Sequence, residues 1–305
     1  MFKSYIKNLF ENIQKPKEPQ QIDIVLEGGS NNGYYELGIL LFLKELEKEN
    51  YIQVNRISGA SIGSYMGYHY FNDSLEETTK IFKVMKNHFE RNLNIFVFKD
   101  LLKNDFKKIK DETFIKIKEN KFFTSFVDVN EKKVIVNRNY KSKEELEECI
   151  FKSCYIPYVC GKNLTYKDKY VDGIVPHIFN NRSKNSKVKI LYVSINQFDK
   201  IKNMFRAKEN NMNGRILEGI VDCYKFFYDE KPTYFCSFVN DWSFISFSYL
   251  RCKQYCILIT FYLLYYCIIY SKMLYPFIKD YKAISFLIPV LRNFYKDTML
   301  YLCFN

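Results

Sequence analysis

The sequence predicts a three-layer α/β/α domain with a central, mostly parallel sheet, followed by a helical, aromatic-rich C-terminal region. Between residues 22 and 71, short apolar stretches typical of strands alternate with helical stretches. Strand–helix–strand units of this length pair their strands in parallel through right-handed crossovers. A further buried strand is predicted over residues 188–195, and from residue 234 onward aromatic and aliphatic residues crowd together.

The chain divides into three predicted parts. Residues 1–21 form a basic amphipathic helix and a Pro-broken linker, residues 22–197 form the α/β domain, and residues 198–305 form the helical C-terminal region. Apolar residues at helical spacing near the N-terminus, with lysines between them, favour a helix that either packs on its own domain or lies on an anionic membrane.

Each element of the α/β domain follows from a local pattern. A continuous apolar run bounded by turn residues predicts a buried strand, and apolar residues three and four apart predict a helix. In chain order, the patterns predict a strand over 22–26, a glycine-rich turn over 28–33, a helix over 34–50, a strand over 51–57 and a helix over 64–71.

The second half of the domain carries weaker signals. The lysine-rich stretch 74–120 is predicted to be mostly helical, and residues 126–136 alternate around an Asn-Glu turn typical of a β-hairpin. Ser142 and Glu145 form a capping box that opens a helix to residue 153. A last helix is predicted over 212–228.

The C-terminal region contains an uncharged run over residues 255–270 with five tyrosines. Crossing a bilayer takes about 20 apolar residues, and tyrosine is typical of the membrane interface. A second, shorter run over 283–291 is broken by Pro289. Three alternatives follow: a short membrane span, an interfacial patch, or helices buried on the sheet.

Charge and cysteine content bound the class of protein. Lysine and arginine number 46 against 34 acidic residues, which is typical of chains that bind nucleic acid or an anionic membrane surface. A composition rich in Lys, Asn, Ile, Tyr and Phe gives the same excess without any such partner.

Nine cysteines without an apolar N-terminal leader predict reduced thiols and an intracellular, cytoplasmic location. The spacing of Cys149, Cys154 and Cys160 fits no zinc template, and no metal site is expected.

Three features in a fixed order suggest ester chemistry. They are the glycine-rich turn over 28–33, a Gly-x-Ser-x-Gly motif centred on Ser61, and Asp172 followed by Gly173. A serine that attacks an ester needs a base, backbone N–H groups that hold the oxyanion, and a turn that exposes its hydroxyl. Ser61 is therefore the candidate nucleophile and Asp172 the candidate base.

These segments resemble the patatin-like phospholipases, a family related to the catalytic domain of cytosolic phospholipase A2. The resemblance covers about residues 22–197 and rests on the glycine-rich loop with its helix (26–40), the serine motif (59–63), and the segment from a Ser-x-x-Ile-Pro turn (153–157) to Asp-Gly. It implies a Ser–Asp dyad, with no histidine, formed by Ser61 and Asp172. It also implies an oxyanion hole lined by Gly28, Gly29, Ser30 and Ile62, and motif glycines at Gly33, Gly59, Gly63 and Gly173.

The resemblance implies a lipid acyl hydrolase that cleaves carboxylic esters of phospholipids or neutral lipids through an acyl-enzyme. No cofactor and no metal are expected. The expected partners are a lipid substrate and an anionic membrane surface rather than nucleic acid, with peripheral membrane association and an anchor around residues 255–270. The sequence makes no prediction of the oligomeric state.

Two departures from the family pattern leave an alternative open. Ser30 stands where the family loop has its middle glycine, and Asn32 stands where it has a basic residue. A positive φ at Ser30 would cost about 1 kcal/mol or more. The alternative is a catalytically weak or inactive patatin-like protein that associates with membranes.

Two other classes of enzyme are disfavoured. A Ser–His–Asp α/β-hydrolase needs a histidine after the acid on a later strand, but the chain has only His69, His88 and His177. His177 is expected to be a surface residue near the site. A dinucleotide-binding glycine loop needs an acid at the end of a second strand, and the acids at 45–49 lie on the predicted helix.

Overall fold

The computed structural model describes residues 2–180, 186–200, 203–204 and 211–278, together with isolated positions between 287 and 301. Within these residues, seven strands form one mixed sheet in the order β4-β3-β2-β1-β6-β7, with β5 paired to β3. The strands are β1 (Gln20–Leu26), β2 (Ile52–Ala60), β3 (Phe122–Asp128), β4 (Lys133–Asn137), β5 (Tyr170–Val171), β6 (Val188–Val193) and β7 (Cys236–Phe238).

Helices connect and cover these strands. They are α1 (Phe2–Phe10), α2 (Gly33–Lys48), α3 (Ile62–Phe71), α4 (Thr78–Asn92), α5 (Phe98–Phe106), α6 (Asp111–Lys118), α7 (Lys143–Ser153), α8 (Met212–Asp229) and α9 (Phe244–Ile278). The capping box at the start of α7 forms as predicted, since the Glu145 N–H donates to Ser142 Oγ at 3.2 Å. The predicted hairpin is the antiparallel pair β3–β4.

The centre of the sheet is parallel and its edges are antiparallel, which confirms the predicted fold class. Strands β1, β2, β3 and β6 run in one direction, and β4, β5 and β7 run against them. Leu26 pairs with both Gly59 and Val193, so β1, β2 and β6 end at the same level. The turns that follow these three strands therefore meet at one edge of the sheet, which is where open α/β sheets hold their sites.

The two larger apolar cores among the described residues cover the two faces of the sheet. The larger one joins Ile22, Ile24 and Leu26 of β1 to the buried faces of the helices, α2 and α8 among them. The smaller one contains Val25 and Tyr192, which residues 178–179 and the first turns of α9 cover. Alternate residues of β1 thus face opposite layers, as the period of a strand requires.

The N-terminal helix lies on the α/β domain. Ile6 is buried, and the ring of Phe10 stacks on Phe42 of α2 at 5.4 Å. The apolar face of α1 is therefore used for packing and is not available to a membrane.

Elements after residue 197 also contact the sheet. Helix α8 packs along α2, and β7 pairs with β6. The predicted division of the chain at residues 21 and 197 stays a prediction.

The uncharged run over residues 255–270 lies within α9, a helix long and apolar enough to cross a membrane by length and composition. None of its apolar window is buried, so of the three alternatives the one with helices buried on the sheet is wrong. The second predicted run, residues 283–291, falls largely outside the described residues.

Candidate active site

The register of β3 brings Ser61 and Asp172 together. The first half of β3 pairs with β2, its second half pairs with β5, and β4 occupies the opposite edge. Strands β2 and β5 therefore share one edge of β3 and approach each other end to end. Ser61 is the first residue after β2, and Asp172 is the first residue after β5. Although 111 positions separate them, the Ser61 hydroxyl donates a hydrogen bond to Asp172 Oδ2 at 2.6 Å.

Ser61 forms the whole connection between β2 and α3. Its backbone has φ 52° and ψ −126°, a conformation that few residues other than glycine adopt. Such a turn holds the side chain away from both elements and exposes the hydroxyl. The surrounding hydrogen bonds stabilise this strained backbone conformation of Ser61.

The hydroxyl of Ser153 is the centre of those bonds. It accepts from the Ser61 N–H at 2.9 Å and donates to the Ser125 carbonyl at 2.6 Å. The Ser64 hydroxyl lies 2.8 Å away and, because the Ser153 proton is already used, acts as the donor. Ser153 thus ties the serine turn, the start of α3 and strand β3 together.

Asp172 is fixed through its backbone. Its N–H donates to the Tyr155 carbonyl at 3.0 Å, and the Gly173 N–H donates to the Ser153 carbonyl at 2.9 Å. A Cβ at Gly173 would lie 1.7 Å from the Ser125 carbonyl oxygen, so only glycine fits there. Burial raises the pKa of Asp172 to about 7, and the hydrogen bond from Ser61 opposes this rise.

The glycine-rich turn passes beside Ser61. A Cβ at Gly28 would lie 2.8 Å from the Ser61 Cβ, so the close approach requires glycine. The backbone N–H groups of Gly29, Ser30 and Ile62 donate no hydrogen bond within the described part of the chain. They are the N–H groups that the sequence assigns to an oxyanion hole.

Ser30 adopts a positive φ of 48°. The serine therefore occupies the left-handed region, where a Cβ costs about 1 kcal/mol or more. Asn32 follows in the same turn and is fully buried, and its amide donates to the Ile195 carbonyl at 2.9 Å. The residue that replaces the family's basic side chain thus holds the turn against the end of β6.

The motif glycines provide space rather than special backbone angles. No glycine in the described residues has a φ in the left-handed region, so no glycine supplies the sharp angle of the serine turn. Ser61 takes that conformation itself. A Cβ at Gly59 would lie 2.5 Å from the Gly63 carbonyl carbon, and one at Gly33 would lie 2.6 Å from Ile62 Cγ1.

Ser61 and Asp172 line an apolar cavity of about 510 Å³. Apolar side chains from α4, from the start of α5 and from the turn after α7 form most of its wall, and α9 adds two residues. The side chains from these parts are Phe82, Met85, Lys86, Phe89, Ile95, Phe98, Ile156, Val159, Lys253 and Ile257. A cavity of this size and polarity suits a long apolar chain.

The histidines contact other groups. His69 is buried with Nδ1 2.8 Å from the Ser74 hydroxyl, and burial lowers its pKa to about 3. His88 Nδ1 lies 2.8 Å from the Asn94 carbonyl. His177 is half-buried, and its ring stacks on Phe123 at 5.5 Å. The residues that the structure describes contain no Ser–His–Asp arrangement.

The thiols near the site are buried and protonated. Cys154 lines the cavity and donates to the Ser61 carbonyl at 3.0 Å. Burial raises the pKa of Cys154 well above its usual range. Among the residues described, no group of histidine, cysteine and acidic side chains has the geometry of a metal site.

Sequence reasoning missed the residues that enclose the cavity. Phe82, Met85 and Phe89 follow a helical period, and that pattern could have indicated a shared face of α4. Asn196, Lys253 and Ile257 lie far along the chain from the recognised motifs and carry no sequence signal.

Fold and site together define an α/β protein of the patatin type, with its cavity at the carboxyl ends of parallel strands. The family model described as patatin-like phospholipase matches residues 24–181, and the chain belongs to this family of lipid hydrolases. No curated protein matches the sequence.

Among solved structures, VipD from Legionella pneumophila is similar with a TM-score of 0.34 and 14% identity. The match covers 58% of this chain and 52% of VipD, so the chain spans about half the length of that structure.

Proposed function

We propose that the protein is a lipid acyl hydrolase in which Ser61 is the nucleophile and Asp172 the general base. The observation that carries this proposal is the 2.6 Å hydrogen bond from the Ser61 hydroxyl to Asp172 at the wall of an apolar cavity. Asp172 takes the proton as Ser61 Oγ attacks the ester carbonyl carbon. The tetrahedral oxyanion is held by the N–H groups of Gly29, Ser30 and Ile62.

The same groups complete the reaction. Asp172 returns its proton to the leaving alcohol as the tetrahedral intermediate collapses to an acyl-enzyme. Asp172 then accepts a proton from water as the water oxygen attacks the acyl carbon. It returns this proton to Ser61 Oγ as the second tetrahedral intermediate collapses, which releases the fatty acid and restores the free serine. A base with a pKa of about 7 suits both proton transfers near neutral pH.

The proposed substrate is a phospholipid or neutral lipid whose acyl chain occupies the apolar cavity. The side chains of Phe82, Met85, Phe89 and Phe98 would contact that chain. Each buried methylene group contributes about 0.8 kcal/mol. Long-chain esters should therefore bind more tightly than acetyl or butyryl esters.

Mutation of the pair tests this proposal. Hydrolysis of a chromogenic acyl ester and of phospholipid vesicles is measured for wild type, Ser61→Ala and Asp172→Asn. We expect each variant to lose at least about a thousandfold in kcat. Asp168→Asn is the matched control, because Asp168 is exposed and its φ of 55° suits asparagine. Wild type no more active than Ser61→Ala would favour the alternative, an inactive membrane-associated relative whose serine at position 30 distorts the oxyanion loop.

We also infer peripheral membrane association through α9. Leu258, Phe261, Tyr262 and Tyr265 pack on a small core at β3 and β5, so one side of α9 lies on the domain. The other side exposes large apolar residues, among them Leu263 at 63% and Leu264 at 59%. A helix held on the domain in this way favours an orientation along the membrane surface over a crossing.

Flotation with anionic vesicles tests the membrane proposal in the full chain. Leu263→Glu should weaken vesicle binding because it places a charge on the exposed apolar side of α9. Leu217→Glu makes the same change at a partly exposed leucine of α8 and should bind like wild type. Equal binding by both variants would contradict the assignment of α9 as the membrane contact.

A further inference from the structure

A lysine on α9 contacts the segments that hold the glycine-rich turn. Lys253 Nζ donates to the Asn196 carbonyl at 2.8 Å and lies 3.4 Å from Glu27 Oε1. Glu27 is the residue directly before Gly28, and its side chain is 4% exposed. The contact therefore joins α9 to the start of the proposed oxyanion loop, across 226 positions of the chain.

Further hydrogen bonds hold the loop on this side. Glu27 Oε2 accepts from the Ser194 hydroxyl at 2.9 Å and from the Asn196 N–H at 3.1 Å. The Asn196 amide in turn donates to the Gly28 carbonyl. Asn196 and Glu27 thus bind each other, and Lys253 bridges them from outside.

The opposite side of the loop is in contact with Ser61. Gly28 has no room for a Cβ against Ser61, and Gly29 has none against Asn196, whose Oδ1 would lie 2.9 Å from it. The loop is therefore held between the serine turn and Asn196. A shift of Asn196 would move the loop relative to the Ser61 hydroxyl.

Helix α9 is held on the domain by the residues around Lys253. Leu250 and Gln254 are buried on the domain, one turn and one residue from Lys253. The Lys253 ammonium thus has a defined position, with a quarter of the side chain exposed.

We propose that Lys253 is a positioning residue for the oxyanion loop, so that α9 contributes to catalysis as well as to membrane contact. This inference rests on the proposed hydrolase activity. Lys253 neutralises the buried Glu27 carboxylate and holds the Asn196 carbonyl, and these contacts keep the N–H groups of Gly29 and Ser30 aligned. Misplacement by about 1 Å of a group that stabilises the transition state can cost a hundredfold in rate.

Kinetics on a soluble short-chain ester tests the proposal without a membrane. Lys253→Met should lower kcat at least tenfold with KM within twofold of wild type, since the loop stabilises the oxyanion and not the bound ester. The affinity for a tetrahedral phosphonate should fall in proportion to kcat. Lys253→Arg, which keeps the cation, should recover most of the activity.

Lys272→Met is the matched control on the same helix, because Lys272 lies over the Tyr158 ring at 5.3 Å and contacts neither Glu27 nor Asn196. It should keep wild-type kcat. Asn196→Ala removes the same link from the loop side and should show the same loss of kcat at nearly unchanged KM. It replaces Lys253→Met in the test if Lys253→Met folds poorly.

A readout independent of activity separates the two proposals. Amide hydrogen exchange at Glu27 and Asn32, whose N–H groups donate to the Val193 and Gly29 carbonyls, should be at least tenfold faster in Lys253→Met than in Lys272→Met at equal thermal midpoints. Equal kcat and equal exchange in these two variants would overturn the role of Lys253. Absence of activity in both wild type and Lys272→Met would instead count against the hydrolase proposal, while exchange would still decide the role of Lys253.

Discussion

Replacing the proposed base should stabilise the protein at alkaline pH while abolishing its activity. The folded pKa of Asp172 is about 7, against an ordinary value of 3.8. Between these values the folded chain holds a proton that the unfolded chain has lost, so the free energy of unfolding falls as the pH rises from 4 to 7. The amide side chain of the Asp172→Asn variant carries no charge, so this variant should escape the loss.

The magnitude follows from the shift. At about 1.4 kcal/mol for each pKa unit, the difference between 3.8 and 7 corresponds to a limit of about 4 kcal/mol. The carboxylate lines the cavity, where water reduces the cost of its charge, so about 2 kcal/mol is expected. The advantage of the variant should be smaller at pH 5 than at pH 8, where it is fully developed.

Urea unfolding followed by fluorescence of the single tryptophan, Trp242, measures this difference. Trp242 packs against Tyr192 of β6 and therefore reports on the sheet. Asp168→Asn is the control for loss of a carboxylate at an exposed position. An Asp172→Asn advantage that is the same at pH 5 and pH 8 would refute the argument that burial raises this pKa.

Three further predictions follow from the site. The rate constant kcat/KM on a soluble ester should rise tenfold per pH unit up to about pH 7 and then level off, because Asp172 must be ionised to accept a proton. A pH profile from 5 to 9 measures this dependence, and a flat profile would contradict it. Ser30→Gly should raise the free energy of unfolding in urea by about 1 kcal/mol, because serine at this position has a φ of 48°. The substitution should not lower kcat, and a loss of activity would show that the serine hydroxyl takes part in the reaction. Ser153→Ala should destabilise the protein by about 1–3 kcal/mol and lower kcat, because the Ser61 N–H and the Ser64 hydroxyl lose a buried partner. An unchanged kcat at normal stability would exclude Ser153 from positioning the serine turn.

The sequence predicted the central strands of the sheet and the candidate pair, Ser61 and Asp172. Buried strands and amphipathic helices follow from local periodicity, and Ser61 and Asp172 each end a strand whose pattern is visible. Their hydrogen bond depends on β2 and β5 sharing one edge of β3, which was not predicted; the family resemblance implied only that the two residues pair.

The remaining features depend on long-range packing. Ser30 has a left-handed φ and follows Gly29, which lies close to Ile195 and Asn196, and no local rule predicts this conformation. The exposure of α9 depends on which neighbours it meets, because an apolar helix can be buried, interfacial or membrane-spanning with the same composition. The contact of Lys253 with Glu27 joins residues 226 positions apart without any shared motif.

The shared edge of β3 has a consequence for the order in which the molecule is made. A growing chain that has produced Ser61 and β3 carries the serine turn but lacks the acid, because β5 is added to that edge more than forty residues after β3 ends. The turn also lacks Ser153 until α7 is complete. Each unfinished chain therefore presents a serine hydroxyl without its carboxylate partner, and the proposed reactivity toward lipid esters requires that the second half of the domain has closed on the first.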